Sequence, residues 1–201
     1  MNLNFKQYRA IDLTILAAIL VFAEYMTASA AIKWFPAELY TLSPTVAVVC
    51  IVMMRWGGYA ALHAIAGGAA FCIASGATAA QFAVYCIGNC FALSALALFK
   101  VLGKEKIRSK YYFTMLFTFA AFLATQLGRW LVGLIFGAPI GSIVGFLTTD
   151  ALSLLFAVVV VLISRRVDGL FEDQKSYLIR TEAERRRERQ GGSDDYDAPP
   201  V

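Results

Sequence analysis

A single histidine, no Cys-x-x-Cys pair and no His-Glu-x-x-His string leave this sequence without the ligands of a metal site. The four cysteines, Cys50, Cys72, Cys86 and Cys90, all lie inside apolar runs and read as small apolar packers. There is no G-x-x-x-x-G-K-[ST] string, so any nucleotide hydrolysis that serves this chain belongs to another one. The histidine, His63, and the most tempting serine, Ser75, stand twelve residues apart on one predicted helix. That is about 18 Å along the axis, too far for a Ser–His dyad. A carboxylate pair from Glu24 and Asp150 stays geometrically open, but no enzymatic activity is expected.

Charge is also scarce. Only 16% of the 201 residues are charged and 59% are hydrophobic, whereas soluble domains carry about 25% charge. Mean hydropathy is +0.64. The charges that exist are clumped: eight of the 18 basic and nine of the 14 acidic residues follow Ser164. A polytopic all-α membrane protein with a polar C-terminal tail is the reading. No cleavable signal is expected, because the first apolar segment is too long for a signal core.

What is present is a series of apolar runs near the length of about 20 residues that crosses a bilayer. Breaking them at charges, prolines and glycine clusters predicts six spans, at 11–34, 42–55, 58–78, 80–101, 111–136 and 142–163. The second is short and begins near Pro44, which suits a tilted or broken span, or one extended upstream through "ELYTLS". Basic residues sort to one side. Lys6 and Arg9 precede the first span, and Arg55 lies between the second and third. Lys100, Lys104, Lys106, Arg108 and Lys110 crowd the turn after the fourth, and Arg165 and Arg166 follow the sixth. On the other side Lys33 is offset by Glu38, and the remaining two links are uncharged. Both termini are therefore expected in the cytoplasm.

Within that frame "FLATQLGRWLVGLIFG" places Arg129 inside hydrocarbon, where a guanidinium costs about 2.5–3.5 kcal/mol on insertion scales. Rise per residue puts Arg129 about 10 Å, Asp150 about 12 Å, and Asn89 and Glu24 about 13 Å below the outer surface. Gln81, Tyr85 and Asn89 recur every fourth residue along one stripe. Gln126, Arg129 and Trp130 share a face, and Thr148, Thr149 and Asp150 stand together. Arg129 and Asp150 as a simple interhelical pair would account for two of these residues. An outward-facing solute pocket would account for all, with Arg129 and Asp150 as charge anchors and Trp34 and Trp130 as stacking or interfacial surfaces. His63 lies about 20 Å deeper and reads as a packing or interfacial residue.

The third span, "GGYAALHAIAGGAAFCIASGA", repeats small residues at Ala60, Ala64 and Gly68, which favours close helix packing. Thr14–Ala18 and Ala23–Thr27–Ala31 repeat the spacing on the first span, a candidate docking face. Residues 1–166 form the transmembrane unit. Residues 167–190 are predicted as a charged cytoplasmic helix, helical from Leu170 with Phe171, Tyr177 and Leu178 on one side. Residues 191–201 form an acidic, disordered tail.

Residues 5–166 resemble the substrate-binding S component of an energy-coupling factor (ECF) vitamin transporter. The likeness rests on six spans, on "LSPTVAVVCIVMMRWGGYAALHAIAGGAAF" with its short span and tight turn, and on the basic turn "KVLGKEKIRSKYY". It implies a multi-pass protein of the bacterial cell membrane that binds a micronutrient at its outer side. It also implies toppling when docked to a transmembrane coupling protein and two cytoplasmic ATPases. No cofactor, metal or nucleic-acid partner is implied. The family's AxxxA docking motif is lacking here, and Thr14 and Ala18 are its nearest equivalent. A self-contained solute transporter and a cell-envelope scaffold are the competing readings.

Overall fold

Long apolar runs free of breakers become long helices, and the interruptions between them decide how the bundle is arranged. The structure is a computed structural model that describes residues 5–37 and 40–191. No strand occurs among the described residues. The helices are α1 (Phe5–Trp34), α2 (Thr45–Trp56), α3 (Ala60–Ser75), α4 (Ala79–Cys90) and α5 (Ala97–Val101). They continue with α6 (Lys104–Ser109), α7 (Tyr111–Ile135), α8 (Ser142–Thr149), α9 (Ala151–Ser164) and α10 (Gln174–Gly191). A 3₁₀ segment, Phe91–Leu96, joins α4 to α5, and another, Gly57–Tyr59, joins α2 to α3. Among the described residues four helical stretches are long and apolar enough to cross a membrane: 5–34, 45–75, 79–101 and 111–135. A fifth follows when α8 and α9, bent by 44°, are taken together. This is the construction of a membrane protein.

The stretch 45–75 is not one rod. An added Cβ at Gly67, in the middle of α3, would lie 2.2 Å from the Thr45 hydroxyl at the start of α2. Twenty-two residues of continuous helix would hold those positions about 33 Å apart. The chain therefore folds back at Gly57, whose φ of +61° suits a residue without Cβ. α2 is only about 18 Å long and α3 about 24 Å.

α2 is the centre of the molecule. Every residue from Thr45 to Arg55 is buried except half-buried Val48, and α1, α3, α7 and α9 pack around it. Val49, Val52 and Met53 meet Ala60 and Ala64 of α3, Phe117 and Ala121 of α7, and Ala157 and Val161 of α9 in one core. In a bilayer such a core is held by close van der Waals packing rather than by exclusion of water. α1 lies outside, burying only Leu20, Glu24 and Ala28, spaced four residues apart. Its Thr14 and Ala18 are exposed. His63 is buried, with Nε2 3.1 Å from the Leu13 carbonyl of α1, a packing position.

The C-terminal segment differs from its sequence reading. The helix begins at Gln174 rather than Leu170, because Gly169 turns the chain at φ +69° and Asp173 accepts the Ser176 amide at 3.2 Å. The residues before it are built into the bundle. Phe171 joins the core and Gln174 is 1% exposed. Arg55, itself buried, donates to the carbonyls of Gly169 (2.7 Å) and Leu170 (3.1 Å) and pairs with Asp12 at 2.7 Å. Packing thus runs on past residue 166. Glu38 and the predicted disordered residues 192–201 lie outside the described residues.

Candidate functional site

Polar residues cluster in this bundle where helices are interrupted. α4 gives way to the 3₁₀ segment just after Asn89, α8 and α9 bend at Asp150, and residues 40–44 run unwound into α2. Unwound backbone inside a bundle needs partners for its amides and carbonyls, each costing about 1–3 kcal/mol if left bare. The neighbouring helices supply them. Thr41 N donates to the Thr149 carbonyl at 2.9 Å and Ser43 N to Ser153 Oγ at 2.9 Å. Ser153 Oγ in turn donates to the Thr41 carbonyl at 3.1 Å. Glu24 of α1 accepts from Ser43 Oγ at 2.8 Å, Thr45 Oγ1 at 2.7 Å and Thr45 N at 3.2 Å.

Arg129 stands beside this segment. α4 and α7 meet backbone to backbone at Gly88 and Gly128. A Cβ on the first would lie 2.6 Å from Arg129 Cα, and one on the second 2.5 Å from the Gly88 carbonyl. That approach sets Asn89 Oδ1 2.8 Å from Arg129 Nε. Arg129 Nη1 hydrogen-bonds Asp150 Oδ2 and makes a longer contact of 3.4 Å to Gln126 Oε1. Gln126 Nε2 donates to Asp150 Oδ2 at 2.9 Å, and Thr41 Oγ1 donates to Oδ1. The guanidinium carbon lies 4.8 Å from the centre of the Tyr85 ring. The pair is deeply buried, Arg129 4% and Asp150 6% exposed, so its remaining charge is balanced by neutral hydrogen-bond partners rather than by water.

Of the residues expected at a solute site, the structure brings together Arg129, Asp150, Asn89, Gln126 and Tyr85. Glu24 adjoins them through the unwound segment, where its partners are the first residues of α2. Gln81 is exposed and closes a capping box with Thr78 at the start of α4. Thr149 Oγ1 turns back onto the Gly145 carbonyl at 2.8 Å, and its own carbonyl holds Thr41. Trp130 Nε1 donates to the Ile140 carbonyl at 2.9 Å.

Trp34 lies elsewhere, at a concavity of about 420 Å³ that it lines with Thr27, Phe35, Tyr40, Leu42 and Leu152. Next to it a smaller hollow of about 70 Å³, bordered by Ala28, Thr41, Leu42, Phe71 and Ser75, reaches Thr41, the partner of Asp150. Thr41 thus joins the smaller hollow to the charge pair, and its chain neighbours Tyr40 and Leu42 line the larger concavity. The hydroxyls of Thr41, Ser43, Thr45 and Ser153 were not singled out from the sequence. The signal for three of them was the run "TLSPT", whose hydroxyls precede an apolar helix on either side of a proline. No protein-family model, curated protein or solved structure matches this chain.

Proposed function

We propose that this chain is a solute-capturing S component of an ECF-type importer in a bacterial cell membrane. The observation that carries the reading is the route just described. A concavity of about 420 Å³, within the usual range for small-molecule sites, lies beside a hollow of about 70 Å³ bordered by Thr41, whose hydroxyl donates to Asp150 of the buried arginine–aspartate pair. Three helix interruptions converge there, as they do where transporters hold solutes. The Arg129 guanidinium is the group that would meet a carboxylate, phosphate or carbonyl-rich ring, with Tyr85 beside it.

On this reading the hairpin α2–α3 counts as two short passes. With α1, α4–α5, α7 and α8–α9 it makes six, with both termini and the basic turns in the cytoplasm. The unwound segment 40–44 completes the first short pass, with Ser43 and Pro44 buried and Tyr40 and Leu42 open to the concavity. The exposed pair Thr14 and Ala18 would face the coupling protein, and two cytoplasmic ATPases would supply the energy.

A second reading has a specific observation in its favour. Almost every polar atom of the layer is already paired within the chain, which is what a purely structural clamp in a cell-envelope scaffold requires. A thermal-shift screen of the purified protein against vitamins and their precursors, repeated with Thr41→Val, separates the two. Solute capture predicts one compound that raises the melting temperature in wild type and does so less in Thr41→Val. A clamp predicts no compound that shifts either protein.

A further inference from the structure

On the outer surface of α7 and α9 runs an apolar groove of about 510 Å³, lined by Met115, Leu116 and Phe119 on one helix and Leu154, Leu155 and Val158 on the other. Both walls continue in helical register to one polar end. On α7 the stripe Phe119–Met115–Tyr111 steps back four residues at a time, and on α9 Leu155–Val158–Leu162 steps forward by three and four and leads to Arg165 and Arg166, just past the helix end. The two arginines meet at Tyr111. Arg165 lies over its ring, with the guanidinium carbon 3.7 Å from the centroid, and Arg166 Nη2 donates to its hydroxyl at 3.3 Å. Arg165 Nη2 donates to the Ser109 carbonyl at 3.1 Å, while Arg165 Nη1 is buried without any partner. Among the described residues neither arginine pairs with a carboxylate.

We infer that this groove and its arginine end bind one anionic phospholipid, with an acyl chain between α7 and α9 and the phosphate at Arg165 and Arg166. The dimensions fit. From Leu155 to Arg165 the helix rises about 15 Å, the depth of one leaflet of hydrocarbon. The chemistry also fits, since arginine presents a planar fork that matches phosphate oxygens, and basic pockets between membrane helices hold lipid headgroups. A partner helix would fill the groove but leave the two arginines without an anion. This inference rests on the chain lying in a bilayer and not on solute capture, so either can fail alone.

The test is native mass spectrometry of the detergent-purified chain titrated with phosphatidylglycerol and with phosphatidylcholine of the same acyl chains. One phosphatidylglycerol should stay bound at collision energies that strip phosphatidylcholine. Its affinity should fall about fivefold for each arginine neutralised, in Arg166→Gln and in Arg165→Gln/Arg166→Gln. Leu155→Trp, which fills the groove, should release the lipid as well, and excess glycerol phosphate should not compete. Equal retention of the two lipids would overturn the inference, as would retention unchanged in Arg166→Gln, a substitution at an exposed side chain. Competition by glycerol phosphate together with an inert Leu155→Trp would reduce the site to a plain anion site and overturn it too.

Discussion

The carboxylate of Glu24 accepts both the amide and the hydroxyl of Thr45, so α1 supplies the cap that α2 lacks in its own sequence. Pro44, at the N-cap position, makes no side-chain cap bond. α2 therefore starts in the bundle interior with its amide end facing a carboxylate, an arrangement favoured by the helix dipole. Removing that carboxylate strands the donors of Ser43 and Thr45. Glu24→Ala is expected to lower stability by about 3 kcal/mol, from the lost cap and two or more unpaired donors. Glu24→Gln keeps an acceptor oxygen and should cost about 1 kcal/mol, the difference between a charge-assisted and a neutral bond. Unfolding by denaturant in detergent measures both. Equal losses in the two variants would show that the side chain only fills space.

Arg129 and Asp150 are more sensitive to losing one partner than both. Arg129→Ala leaves a buried aspartate with only Gln126 and Thr41 to hold it, and Asp150→Ala leaves an unpaired guanidinium. Breaking a buried pair this way costs about 3–5 kcal/mol, whereas removing both charges is often close to neutral. The double variant should therefore melt nearer to wild type than either single one. Additive losses in the double-mutant cycle would mean that the two residues act separately. A double variant that is stable yet no longer shifted by the solute found in the screen would mark the pair as a ligand contact rather than a clamp.

Close approach of α4 and α7 at two glycines gives a sharper test of the geometry. Gly88→Ala would push its methyl into the backbone of Arg129, and Gly128→Ala into the Gly88 carbonyl and the Phe91 ring. Neither neighbour is the free end of a flexible side chain, so the helices must separate. Each substitution is expected to destabilise by about 1–3 kcal/mol and to lengthen the Arg129–Asn89 bond. Gly145→Ala, where an added methyl meets nothing within 4 Å, is the matched control and should be neutral or slightly stabilising. A stable Gly88→Ala with unchanged solute response would place the helices farther apart than described here.

Much of this arrangement can be traced to the sequence, and the part that cannot has physical causes. Apolar run length foretells an all-helical chain with membrane-length helices, and rise per residue sets Arg129, Asn89, Gln126 and Tyr85 at similar depths. What register cannot show is the azimuth of one helix against another. Gln81 and Asn89 share a stripe of α4, yet Gln81 sits at the helix end, where its own capping bonds to Thr78 hold it at the surface. Asp12 gives no signal in the sequence, because it stands near a span end, where a charge is cheap. In the structure it pairs with Arg55, and Arg55 in turn holds the backbone at Gly169 and Leu170. Phe171 looked like one face of a solvated helix. It is core, because a glycine turn two residues earlier sends the chain back under the bundle.

That returning segment is held by charges that should respond to acid. Asp173 is partly buried, which raises its carboxyl pKa, but the Lys104 ammonium at 2.6 Å and the amides of Ser176 and Lys175 outweigh burial. The carboxyl is left below its ordinary value of 3.8. Glu105 is likewise lowered, by its hydrogen bonds from Arg108. For a carboxyl depressed in the folded state, the stabilisation is complete above the unfolded pKa and is lost as pH falls through the folded one. The attachment of residues 169–181 should thus be indifferent to pH from neutrality down to about pH 4 and loosen only below that. Amide hydrogen exchange across 175–181, corrected for the intrinsic pH dependence of exchange, reads the detachment. Asp173→Asn should show faster exchange at neutral pH and lose most of the acid step. An onset above pH 5 would mean that a group with a raised pKa, rather than the Lys104–Asp173 pair, secures the segment.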